Sequence, residues 1–349
     1  MRQRSVLLAL ALSLGAWVGS SSAQFAQAQS GPTYEASRPE LEEVLEDLIA
    51  WWPGEWSSAP HVFLDRTVRM PADGEHESLY RTFVLIEAPQ VGPLVFYGQI
   101  NVGDRDGPVM GRSQVLYTAH VDEARQAVVM RGHPLQDPER FVNLQDHPDL
   151  WKEVGFRDAA QIRCDFLWRR HGRQLRGLVD GGTEERRRRG PGTCSYTMAD
   201  GETEFVADSE WVLSADELWI HDTNSIGGRQ FLGRADRTFT RFYKAAPFEC
   251  KVTDSSGVRL VRLHDRGARA TVLTKRGPGS MNLLRAWYPD SEGAGLTDSL
   301  RLTLGAGDAA RDGAHATQSG DAERIRIDAL GVVADCARVS RFEAMPISP

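Results

Sequence analysis

Signatures of metal binding and nucleophilic catalysis are missing from this sequence. It contains no CxxC, no HExxH and no GxSxG, which removes the common zinc sites and the nucleophile elbow of α/β-hydrolases from consideration. His120, His133 and His147 share one stretch at loose spacing, which gives no support to a metal site. Strand–helix alternation of the βαβ kind is also missing, and that disfavours a parallel α/β fold. Beyond the first 28 residues no apolar run approaches the ~20 residues needed to cross a bilayer as a helix. Positive charge is in deficit, with 41 Lys and Arg against 48 Asp and Glu and a formal net charge of −7. A chain so balanced is a poor ligand for nucleic acid or for an anionic membrane surface. Its one basic cluster, Arg186 to Arg189, follows Glu184 and Glu185 and precedes Gly190-Pro191, the composition of a solvated loop.

The amino terminus reads as a secretory signal peptide. Arg2 and Arg4 precede the apolar stretch Val6 to Val18, and Ser21-Ser22-Ala23 and Ala26-Gln27-Ala28 are two candidate cleavage sites; an uncleaved anchor is the alternative. No Cys lies near either site, so no lipoprotein anchor is expected. Cleavage at Ala28 removes two Arg and no acid, taking the charge from −7 to −9. The mature chain is thus expected to be exported, periplasmic or secreted, with no membrane span once the signal is gone. Its length exceeds one typical domain of ~100–200 residues, so two units are expected: 29–245 and 246–349, divided at Ala245-Ala246-Pro247. The four cysteines, Cys164, Cys194, Cys250 and Cys336, fall two to each unit. In an exported chain this predicts Cys164–Cys194 and Cys250–Cys336 disulfides, the second worth ~4–5 kcal/mol in the chain-entropy model.

One amphipathic helix is predicted over Glu40–Trp52, with Leu41, Val44, Leu45, Leu48, Ile49 and Trp52 on one face. Ser37 and Glu40 form a candidate capping box, and Pro53-Gly54 is the stop. A second short helix is expected over 148–154. Otherwise short strand patterns dominate: RTFVLIE at 81–87, LVFYGQIN at 94–101, SQVLYTAHV at 113–121 and AVVMR at 127–131, then a further series from Cys164 to Lys244. Gly, Pro, Asp and Asn punctuate them, which predicts a mainly β, antiparallel barrel or sandwich. VRLVRLH, RATVLTK, SLRLTLG and ERIRIDAL make the carboxy-terminal unit a small β-rich domain, with a loop expected over 305–320.

Residues 41–244 resemble the CpcT/CpeT family of phycobiliprotein chromophore lyases. DLIAWWPGEWSS at 47–58 is similar to the family's opening helix and turn. Tyr97-Gly98-Gln99 looks like its Tyr-x-x-Gln-type segment, and GRSQVLY at 111–117 looks like its Tyr-Arg-Gln-Arg-Val-Tyr strand. Cys164 and GTCSY at 192–196 match two Cys regions, and Glu210 to Asp222, Gly227-Gly228 and RTFTRFYK match the closing strands. Two departures stand out: Ser113 is interposed between Arg112 and Gln114, and His221-Asp222-Thr223 replaces Asp-Arg-Gly. The resemblance implies a lipocalin-like (calycin-type) barrel with an N-terminal helix, holding a linear tetrapyrrole (bilin) in its mouth. It also implies a phycobiliprotein-like client whose cysteine receives the bilin, and a possible homodimer. No other cofactor is required.

Such a ligand needs cations for its propionates, a carboxylate for its pyrrole N–H groups and aromatic walls. The residues the resemblance offers are Arg112 and Arg229 for propionates, Asp222 for N–H groups, and Tyr97 and Tyr117 as walls or proton donors. Period-two parity puts Gln99 with Tyr97 and Gln114 with Arg112, and both pairs are expected to face one lumen, with Asp222 and Arg229 near its opening. Two other readings stand beside the lyase: an exported, non-enzymatic, lipocalin-like binding protein for another hydrophobic ligand, and an envelope-assembly protein using its carboxy-terminal unit for contacts.

Overall fold

The computed structural model describes residues 36–340, except 73, 112, 157–163, 186–191, 199, 235, 237, 291–294 and 306–312. The signal peptide, the Arg186–Arg189 run and Arg112 therefore lie outside the described residues.

Helix α1 (Arg38–Trp51) begins where the sequence places it: the Glu40 carboxylate accepts hydrogen bonds from the Ser37 backbone N–H (2.7 Å) and hydroxyl (2.8 Å). Its buried face, Leu41, Val44 and Leu48, runs on into Trp52. Strand β1 (Gly54–Ser57) follows, then α2 (Ala59–Thr67). The sequence reading missed α2, because nine residues opening on Ala-Pro look like a turn.

From there the chain is strands: β2 (Leu79–Ile86), β3 (Val95–Val102), β4 (Val115–Asp122), β5 (Ala127–Pro134), β6 (Asp165–His171), β7 (Gln174–Asp180), β8 (Thr193–Thr197), β9 (Glu204–Leu213), β10 (Glu217–Ile226), β11 (Arg229–Gly233) and β12 (Thr240–Lys244). The expected helix over 148–154 is a 3-10 turn, Pro148–Glu153. Hydrogen bonding runs β10-β12-β1-β2-β3-β4-β5-β6-β7-β9, and β9 pairs again with β10. Ten antiparallel strands thus close into a barrel, and closure removes the edges that an open sheet must protect. Strands β8 and β11 extend β9 and β10 outside the closed ring.

Inward residues of every barrel strand meet α1 in one cluster. Val44, Leu48 and Trp52 of the helix segment pack with Trp56, Phe83, Phe96, Met130, Trp168, Leu175, Trp211, Ile220 and Phe242. The helix plugs the lumen from one end. The Trp52 ring lies tilted at 4.5 Å from Phe83 and at 5.0 Å from Phe96, and a Cβ on Gly98 would lie 3.0 Å from the rings of Phe83 and Tyr117. A side chain there would have to push those rings aside by a few tenths of an ångström. Strand β3 is buried on both faces: Phe96, Gly98 and Ile100 look inward, while Val95, Tyr97, Gln99 and Asn101 look outward beneath the segment carrying Leu135, Phe141, Leu144 and Val154.

Beyond Lys244 the chain changes sheets. Strands β13 (Pro247–Asp254), β14 (Gly257–His264), β15 (Arg266–Thr274), β16 (Gly277–Pro289), β17 (Leu296–Gly305), β18 (Ala314–Ser319), β19 (Arg324–Ala329) and β20 (Val332–Arg338) form two four-stranded sheets, β14-β13-β20-β19 and β15-β16-β17-β18. One core drawn from both sheets joins them. The expected loop over 305–320 is in part a strand, β18. Cys250 and Cys336 are cross-strand neighbours, and both expected disulfides are formed. This unit is seated on the barrel: Ser57 donates to the Arg266 carbonyl at 3.0 Å, His264 bonds Asp104 at 2.6 Å, and the Phe63 and Tyr288 rings lie 4.8 Å apart.

Candidate functional site at the barrel mouth

Opposite the α1 plug the barrel is open, and a cavity of about 430 Å³ occupies the mouth, within the usual range of small-molecule sites. Period two sets its wall on β2 and the residues before it: Glu77, Leu79 and Arg81 run from rim to floor, and Phe83 continues into the core. Ile220 and Asp222 of β10 and Thr240 and Phe242 of β12 complete the floor and walls, while Glu75, Arg234, Asp236 and Thr238 line the rim.

Arg81 is the exceptional residue. Its side chain is only 6% exposed, yet none of its N–H groups has a hydrogen-bond partner within 3.5 Å among the described residues, and Nε is wholly enclosed. Its nearest acceptor is Asp222 Oδ2, 3.6 Å from Nη2, too far for a good hydrogen bond. The rings of Phe242 and Trp211 lie 5.0 and 5.6 Å from the guanidinium, within cation–π range. Burial pushes the Arg81 guanidinium below its usual pKa, and Asp222 offsets part of that. Asp222 Oδ1 accepts from the Trp211 indole at 3.0 Å, while Oδ2 is the oxygen that faces Arg81. Tyr117 packs against Trp52 and Phe83 on the inner face; burial raises its hydroxyl to about 12, with Arg81 acting the other way.

The rim carries its own network. Arg234 Nε donates to Asp236 at 3.0 Å and to Thr238 at 2.9 Å, and Nη1 donates to the Glu75 carbonyl at 2.8 Å. Behind it, Asp65 Oδ2 accepts from both the backbone N–H (2.9 Å) and Nδ1 (2.8 Å) of His76, and His76 Nε2 lies 3.4 Å from the Thr238 hydroxyl. His61 stacks on His76 with centroids 3.9 Å apart. His61, Asp65 and His76 also have ligand atoms within 4.8 Å of one another, close enough for a metal. The hydrogen bonding argues otherwise. His61 Nδ1 accepts the Arg241 backbone N–H at 3.0 Å, so the neutral ring carries its proton on Nε2, the nitrogen that faces Asp65 at 3.9 Å. A metal there would have to displace that proton. Burial, followed by the neighbouring His76, lowers His61 to about 4, with Asp65 pulling the other way.

The structure places the sequence-predicted site residues in three groups. Asp222 is at the floor of the mouth, and Tyr117 is on the inner face, packed against Trp52 and Phe83 and not among the residues that line the mouth. Tyr97, Gln99 and Gln114 do come together, but the expectation that they face the lumen is corrected: they lie on the outer face of the barrel. There the Tyr97 hydroxyl lies 2.8 Å from Gln99 Oε1 and 2.9 Å from the Phe141 carbonyl, Gln99 donates to Asn101 and Asn143, and Gln114 donates to Tyr97 and to the Pro138 carbonyl. This network pins the 135–154 segment and is already satisfied. Arg229 is corrected too: it sits exposed at the turn of the β10–β11 hairpin and does not line the mouth. Arg81 was missed, although its parity with Phe83 in RTFVLIE was the signal that could have found it. A second cleft, about 470 Å³, is lined by Arg125, Leu167, Arg169, Asp180 and Gly182. Its Arg125 is already paired with Asp165 (2.7 Å) and Asp180 (3.1 Å).

Fold and site together define a closed antiparallel barrel with one plugged and one open end. No family model matches the chain, and no curated protein matches it. Among solved structures it is similar to the selenomethionine CRL protein of Arabidopsis, with 14% identity and a TM-score of 0.42 over 60% of this chain and 98% of that one. At that distance the likeness bears on neither ligand nor activity.

Proposed function

We propose that this chain is an exported binding protein that holds a small, largely apolar molecule in the barrel mouth, against Arg81 and Asp222. The observation that carries the reading is the Arg81 guanidinium, 6% exposed at the floor of the cavity and met there only by Asp222, at 3.6 Å, since a buried charge that is poorly paired costs free energy unless a further partner meets it. The apolar walls Leu79, Ile220, Leu232 and Phe242 supply the rest of the site. Export is supported by the two disulfides. The resemblance to the chromophore lyases makes a linear tetrapyrrole the first ligand to test, with its N–H groups toward Asp222. Transfer to a client cysteine is the lyase extension of the same reading, and the chain's own cysteines are all in disulfides. Titrating the mature protein with biliverdin tests it: a saturable, red-shifted absorption band that is lost in Arg81→Met/Asp222→Leu is expected. An unchanged spectrum would remove the tetrapyrrole, and transfer to a thiol-bearing phycobiliprotein subunit would separate lyase from binder.

A further inference from the structure

The floor of the mouth presents two complementary groups side by side. Arg81 offers donors with no acceptor within 3.5 Å among the described residues, and Asp222 offers Oδ2, which pairs with Arg81 only loosely at 3.6 Å while Oδ1 takes the Trp211 indole. We propose that this floor recognises a cis-amide edge, the adjacent C=O and N–H of a lactam, cyclic imide or pyrimidone. A ring-bound cis-amide directs its carbonyl and its N–H to the same side, so one group meets Arg81 while the other meets Asp222. An open-chain secondary amide is trans and sends the two to opposite sides. A carboxylate would satisfy Arg81 but would set a second anion beside Asp222 in a buried site, where like charges disfavour each other. A neutral amide edge leaves the floor's charge balanced.

The walls and rim agree with this. Trp211 and Phe242 flank the guanidinium with flat rings, and Leu79, Ile220 and Leu232 enclose the body of a planar ligand in apolar surface. At the rim Arg234 pairs with Asp236 and also feels Glu77, and Glu75 pairs with Arg66. The inference rests on the mouth being the binding site; the terminal rings of a linear tetrapyrrole are lactams, so the two readings are compatible.

The test compares 2-pyrrolidone, N-methyl-2-pyrrolidone and pentanoate on the mature protein. The readout is the Trp211 indole N–H resonance, assigned with Trp211→Phe. The indole reports directly because it donates to Asp222. The expected result is a saturable shift with 2-pyrrolidone and at least tenfold weaker binding of the other two. That preference should vanish in Arg81→Met/Asp222→Leu, whose folding is checked by circular dichroism because the single variants leave one charge unpaired. Equal binding of the N-methyl compound, or stronger binding of pentanoate, overturns the proposal. If biliverdin binds in the mouth while no fragment shifts the indole, the cis-amide inference fails and the binding reading stands. If neither biliverdin nor any fragment binds, both fail.

Discussion

A guanidinium at the bottom of a barrel mouth loses its hydration and, here, recovers little of it from protein acceptors. Arg81 is held by Asp222 and by two aromatic rings, and removing one partner of such a buried pair is far worse than removing both. Arg81→Met is therefore expected to lower unfolding stability by ~3–5 kcal/mol, and Arg81→Met/Asp222→Leu to recover most of that loss, as read from urea midpoints. Equal losses in the single and double variants would show that the two charges are not coupled. Of the residues that line the mouth, the sequence reading named Asp222 but not Arg81. Its parity argument was sound for Tyr97 and Gln99, which do share a face. The face was wrong because β3 is buried on both sides, and a strand without alternation does not say which side is in. Gln99 and Gln114 are buried amides bonded to protein groups.

Among elements, α1 and the hairpins were legible because their signals are local: a capping box, a 3.6-residue apolar stripe, Gly and Asp turns. Helix α2 was not, since Pro60 at its start reads as punctuation and its packing partners are distant in sequence. That helix matters to the mouth. It carries His61 and Asp65 against His76, whose neighbours Glu75 and Glu77 line the cavity. His61 is held at about 4, below the ordinary 6.5, by burial and then by His76. Between those values the unfolded chain takes up a proton that the folded chain refuses. This contribution to stability is constant above pH 6.5, falls as the pH drops from 6.5 toward 4 and levels off below. His61→Asn, which keeps an acceptor for the Arg241 N–H, is expected to flatten the pH dependence of the urea midpoint in that window. An unchanged slope would mean that His61 titrates normally.

For the whole molecule, class and cross-links were legible, while closure and seating were not. Short alternating strands indicated an antiparallel barrel, but the pairing of β1 with β12, which sets Trp56 against Lys244 and closes the ring, is a long-range event with no local signature. The expected boundary at Ala245-Ala246-Pro247 falls at the change of sheet between β12 and β13. The carboxy-terminal unit nevertheless docks on the barrel through Tyr80–His264 and Asp104–His264, contacts that no motif announces. Its disulfide joins positions 86 residues apart, so Cys250→Ala/Cys336→Ala is expected to cost ~2–5 kcal/mol of stability while leaving ligand binding at the mouth unchanged. A loss of binding without loss of stability would tie this unit to the site. The central claim is that the open end of the barrel, and not its outer face, is where a ligand sits. The most direct measurement is a crystal structure of the mature protein soaked with the tightest-binding probe. The predicted result is ligand density between Leu79, Ile220 and Phe242 within hydrogen-bonding distance of Arg81 and Asp222. Density against Tyr97, Gln99 and Gln114, or in the Arg125–Asp180 cleft, with an empty mouth would contradict it.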